Sequence, residues 1–87
     1  MFVYIIRNSV NNLYVGISEN PQKRIEKHNH RIDAKFTKYV PNFKIVFLDS
    51  QDSIKDARKR EIQIKKWSRK KKEFLIEMYY KNQNTKQ

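Results

Sequence analysis

Two short apolar runs open the chain, Phe2-Val3-Tyr4-Ile5-Ile6 and Leu13-Tyr14-Val15-Gly16-Ile17, with Asn8-Ser9-Val10-Asn11-Asn12 between them. Aromatic and β-branched runs bounded by asparagine and serine read as strands, so residues 2–7 and 12–18 are predicted to form a β-hairpin. A register centred on residue 9 sets Tyr4 directly opposite Tyr14 on one face. A slip of one residue sets them on opposite faces, and the hydrophobic pattern leaves both open. Asn20 before Pro21 is an N-cap with proline at the first helical position. The predicted helix runs through His28 and places Arg24 and His28, four apart, on one face.

Residues 29–42 interleave basic and aromatic side chains (Arg31, Lys35, Phe36, Lys38, Tyr39) and read as mostly loop. Residues 43–48 form a third predicted strand. Ser53 with Asp56 resembles a capping box, opening a second helix that lines up Ile54, Ala57, Glu61 and Ile64. Ser68 is expected to cap a third helix carrying Phe74, Leu75, Met78 and Tyr79. A domain over residues 1–80 is expected, with 81–87 a frayed tail; no repeat or linker interrupts it.

Charge changes this picture most. Twenty Lys and Arg face nine Asp and Glu in 87 residues, a net charge of +11. The densest block is Lys65-Lys66-Trp67-Ser68-Arg69-Lys70-Lys71-Lys72. Such an excess on a small body points to a polyanionic partner, nucleic acid first. A solubilising surface is the plainer alternative. A membrane-surface helix fits less well, because the cations cluster in sequence instead of lining one helical face. The absence of cysteine excludes disulfides and thiolate metal sites, and two histidines exclude a histidine-rich zinc cage. No apolar run approaches a signal peptide or a membrane span, so the cytoplasm is the expected compartment.

Two positions break the local pattern. Gly16, the one glycine of the chain, lies inside an apolar β-branched run. Glycine there weakens a strand and marks a bulge or a close approach to the backbone. Glu61 falls in the apolar stripe of the second helix, where a carboxylate is costly unless paired or bound to a cation. It either escapes to the surface or pairs with Arg58 or Lys65, or it holds magnesium, which often takes one or two protein carboxylates and fills its other positions with water and phosphate oxygens. Trp67 reads as core or interface packing, with base stacking the alternative. Lys70, Lys71 and Lys72 fit either phosphate contacts or a solvated helix start. His28-Asn29-His30 is not the HNH nuclease motif, whose residues are spread over a longer segment.

Val3-Tyr4-Ile5 and Tyr14-Val15-Gly16 resemble the paired motifs of the GIY-YIG nuclease superfamily. Arg24, His28 and Glu61 match its other hallmark positions in order. From Phe2 to about Ile76 the chain is similar to the small stand-alone bacterial members, family 0213. The likeness includes Ala34-Lys35-Phe36-Thr37, the stretch from Lys59 to Lys66, Ser68-Arg69 and Lys72. Phe2 replaces the first motif's glycine, and the asparagine that larger relatives place after the glutamate has no counterpart near residues 70–78.

The resemblance implies a small single α/β domain, a three-stranded antiparallel sheet flanked by helices. It implies a divalent-metal-dependent DNA endonuclease hydrolysing phosphodiester bonds in DNA repair or processing, preferring single-stranded or structured DNA to a strict sequence. Arg24 would bind the scissile phosphate, Glu61 one Mg²⁺ or Mn²⁺ ion, and His28 water or a phosphate oxygen. Tyr4 and Tyr14 would orient the attacking water, and one of them would take its proton. Free tyrosine titrates at about 10, so a tyrosine base needs cations close by, and Arg24, Lys23 and Lys35 are the candidates. Gly16, Lys23, Lys35, Lys38, Lys65, Lys66 and Arg69 are the expected nucleic-acid contacts. DNA is the expected partner, with RNA open, and neither a membrane nor a nucleotide cofactor is expected. The competing reading is a non-catalytic nucleic-acid-binding module using the same basic surface.

Overall fold

Asparagines build the turn that joins β1 (Phe2–Arg7) to β2 (Leu13–Ser18). The computed structural model describes residues 1–30 and 42–85. Asn8 is buried, and its Oδ1 accepts from the backbone N–H groups of Val10 at 3.1 Å and Asn12 at 2.8 Å. Its own N–H donates to the Asn12 carbonyl, while Asn11 takes a left-handed φ of 69°. A three-residue loop ending in a left-handed residue is a favoured hairpin closure, and asparagine tolerates that conformation. The pairing that results sets Tyr4 opposite Gly16 and Ile6 opposite Tyr14. Neither register considered from the sequence is the observed one. The tyrosines share a face, but diagonally and not directly opposite.

On its other side β1 pairs antiparallel with β3 (Lys44–Ser50), for a strand order of β2-β1-β3. The central strand is covered on both faces, which is why its apolar run is continuous instead of alternating. Ile5 opposes Phe47 while Ile6 opposes Ile45, so Val46 is the extra residue of a β-bulge. Phe47 then joins Val3 and Ile5 on one face, and Ile45 joins Tyr4 and Ile6 on the other.

Helix α1 (Pro21–His30) covers the Tyr4 face through Ile25. Its start is the predicted one, since Asn20 Oδ1 accepts from the Lys23 N–H at 3.2 Å. Helices α2 (Ile54–Lys65) and α3 (Arg69–Thr85) cover the opposite face, where Ala57, Ile64 and Ile76 pack on Val3, Ile5 and Phe47. Burying each of the larger side chains contributes about 1.5–3 kcal/mol. Ser53 Oγ accepts from the Asp56 N–H at 3.1 Å and Ser68 Oγ from the Lys71 N–H at 3.3 Å, so both predicted caps are present. Ile54 at the head of the α2 stripe is exposed, however. On α3 the core is reached by Leu75, Ile76 and Tyr79, whereas Phe74 and Met78 point to solvent. The helix also continues to Thr85, past the position at which a frayed tail is expected.

A polar network fastens the hairpin to α3. Arg7 donates to both Glu73 carboxylate oxygens, at 2.9 and 2.6 Å, and Arg69 donates to Glu73 Oε2 and to the Asn11 carbonyl. The Arg7 guanidinium, helped by Arg69, lowers the Glu73 pKa to about 2. A carboxyl whose folded pKa is depressed stabilises the fold above its unfolded pKa and loses that contribution as pH falls through the folded value. The site is about one-third exposed, so after solvent screening the contribution is about 1–2 kcal/mol. Glu73→Gln is therefore expected to unfold at lower urea concentration than the parent at pH 7, with the gap narrowing between about pH 4.5 and pH 2.

Candidate active site

Gly16 is explained by what lies over it. A Cβ at this position would overlap the Tyr4 hydroxyl and fall 2.6 Å from Tyr4 Cζ. The Tyr4 phenol therefore crosses the backbone of the neighbouring strand, an approach that only glycine allows. Tyr4 is 7% exposed. The ring is enclosed, and among the described residues the Tyr4 hydroxyl has no hydrogen-bond partner.

Tyr4, Tyr14 and Arg24 line one cleft of about 310 Å³, with Ile6, Val15, Ile25 and Phe43 forming the rest of its wall. The hairpin supplies both tyrosines. Tyr14 is half exposed and is steadied edge-on by Phe43, with centroids 5.6 Å apart and planes at 69°. Helix α1 supplies Arg24 next to buried Ile25, so the Asn20-Pro21 start sets where the guanidinium emerges. Arg7, Arg60 and Arg69 each hold a carboxylate, whereas Arg24 makes no ion pair among the described residues. A cleft with two phenols and an unpaired guanidinium can bind an anion and orient a water beside it.

The other expected site residues are distributed as follows. Glu61 does not line this cleft. Its helix packs on the opposite face of the sheet, against β1 and the edge strand β2. The Glu61 side chain is 19% exposed, and Lys65, itself well exposed, stands 3.3 Å from its Oε2. His28 lies in α1, but its side chain is outside the described residues, as are Lys35 and Lys38 in full. Lys23 and Lys66 are exposed; Lys65 and Arg69 are engaged by Glu61 and Glu73. Trp67, partly buried, packs against the core, with Lys71 Nζ 4.4 Å and Arg60 Cζ 5.3 Å from its ring centroid. Phe43, read from the sequence as a strand residue, is the cleft residue that pattern alone passes over; it precedes β3 and packs against Tyr14.

Among the described residues, no group of three or more His, Cys, Asp or Glu could enclose a metal ion. The donor at Glu61 fits a sparser kind of site. A hard carboxylate oxygen, partly sheltered and countered among the described residues by one exposed lysine, suits a divalent cation whose other ligands are water and phosphate oxygens.

The sheet and helix α1 thus bring two tyrosines and an arginine to one cleft. The profile of the GIY-YIG catalytic domain matches residues 1–74. UPF0213 proteins of Staphylococcus aureus strains Mu50 and N315 are each 39% identical over 75 residues, covering 86% of this chain and 92% of theirs. The chain belongs to the GIY-YIG family, a nuclease superfamily. No solved structure matches it. Among the described residues, no helix is long and apolar enough to cross a membrane.

Proposed function

We propose that the protein is a divalent-metal-dependent DNA endonuclease acting on single-stranded or structured DNA. The observation that carries this reading is the cleft that unites Tyr4, Tyr14 and an arginine free of any carboxylate among the described residues. Arg24 binds the scissile phosphate and offsets the charge that develops on it in the transition state. Water positioned by the tyrosines attacks phosphorus; one tyrosine, acting as its phenolate, takes the water's proton, and the departing 3′ oxygen takes a proton from solvent. The bond from phosphorus to the 3′ oxygen breaks, leaving a 5′-phosphate and a 3′-hydroxyl. Glu61 is the residue that would hold Mg²⁺ or Mn²⁺, which when bound stabilises charge on the departing oxygen. A strand lying along β2, an edge strand among the described residues, meets the tyrosine face on one side and the α2 face on the other. The net charge of +11 favours association with DNA.

End-labelled single-stranded, duplex and branched DNA incubated with Mg²⁺ or Mn²⁺, with and without EDTA, tests this reading. Internal cuts that EDTA abolishes are expected, strongest on the single-stranded or branched substrate. Tight binding without cutting on every substrate would favour the non-catalytic module.

A further inference from the structure

A second cleft adjoins the first. Asn12, Leu13, Tyr14, Arg69 and Lys72 line a recess of about 390 Å³ at the junction of the hairpin with the start of α3. Tyr14 lines both clefts, so the two meet at this half-exposed residue. The charges in the second recess are unequal in availability. Arg69 is committed to Glu73 and to the Asn11 carbonyl, and Arg7 holds the same carboxylate from the other side. Two guanidiniums thus share one carboxylate, which leaves this corner cationic before Lys72 is considered.

Lys72 stands apart from the other described lysines. It is the one among them that is partly covered instead of exposed, yet it forms no ion pair among the described residues. Its stem is partly covered at the recess while no carboxylate among the described residues engages its ammonium, which leaves that charge available to an anionic ligand there. Asn12 lines the same recess and is exposed, and among the described residues its side-chain amide makes no hydrogen bond, so it can serve as a further donor.

We infer that Lys72 is a second phosphate contact, holding a backbone phosphate of the same nucleic-acid strand next to the one at Arg24, with Tyr14 between the two. This rests on the nuclease reading and extends it, because it sets the direction of the strand: past Tyr14 toward the start of α3. It also shifts weight away from Lys65 and Arg69, whose charges are already engaged by protein carboxylates.

The test is fluorescence anisotropy of labelled single-stranded and duplex oligonucleotides between 50 and 200 mM KCl, without divalent metal. Lys72→Gln is compared with the parent protein, with Lys72→Arg, and with Lys55→Gln as a control that removes one exposed charge elsewhere. Lys72→Gln is expected to weaken binding roughly three- to tenfold at the low-salt end and to reduce the log–log salt slope by about 0.7–0.9, the signature of one lost phosphate contact. Lys72→Arg should bind like the parent. Equal losses in Lys72→Gln and Lys55→Gln, or an unchanged slope in Lys72→Gln, would overturn the contact while leaving the nuclease reading in place. A parent protein that binds neither oligonucleotide would overturn both. Thermal unfolding of each variant separates a binding loss from a folding loss.

Discussion

Glu61→Ala is expected to lose metal-stimulated cleavage by roughly 10³-fold or more, with folding unharmed, because removing a leaving-group cation forfeits several kcal/mol of transition-state stabilisation. The stability side of this expectation sets it apart from a structural role. Glu61 lies on α2 between buried Ala57 and Ile64, its side chain 19% exposed, and among the described residues it pairs with one surface lysine four residues on. Such a pair is worth about 0.3–0.5 kcal/mol, less than the cost of holding a carboxylate at the edge of an apolar stripe. Alanine, a better helix former, should therefore leave the melting temperature level or raise it. Single-turnover cleavage across a Mg²⁺ titration, paired with thermal unfolding, reads both quantities. A variant that cuts normally but melts earlier would make Glu61 a structural residue and remove it from the metal site.

The sequence carried the elements and the residue types of the site, but not the geometry that joins them. Caps were legible because their chemistry is local: Asn20, Ser53 and Ser68 each accept a backbone N–H three residues on. The α/β class was legible because the strand and helix patterns are distinct, and the GIY-YIG resemblance is matched by the family profile over residues 1–74. Register was not legible, since it depends on the Asn8 side chain organising the turn and on Asn11 going left-handed, two choices that hydrophobic pattern does not encode. The apolar face of α3 was misjudged for a related reason. Phe74 and Met78 have the right spacing, but so do the positions around Ile76, and only the placement of β3 decides between them. Gly16 was visible as an anomaly; that the group approaching its backbone is the Tyr4 phenol of the adjacent strand follows from the register alone.

For Arg24 the informative comparison is between two replacements. Arg24→Ala is expected to lower the cleavage rate at saturating DNA by about 10²–10³-fold, the cost of removing one preorganised donor from a site of developing charge. Arg24→Lys keeps the charge but not the planar fork that meets two phosphate oxygens at once, so it should recover only part of that loss. The fold should tolerate both changes, because Arg24 is exposed and makes no ion pair among the described residues, while neighbouring Ile25 provides the buried anchor of α1. Since other basic residues also attract DNA, affinity should fall far less than rate. Rapid-quench single-turnover kinetics, alongside anisotropy for affinity, separates the two effects. If Arg24→Ala lost affinity and rate in equal proportion, Arg24 would be a ground-state phosphate contact only, and stabilisation of the transition state would have to come from elsewhere in the cleft.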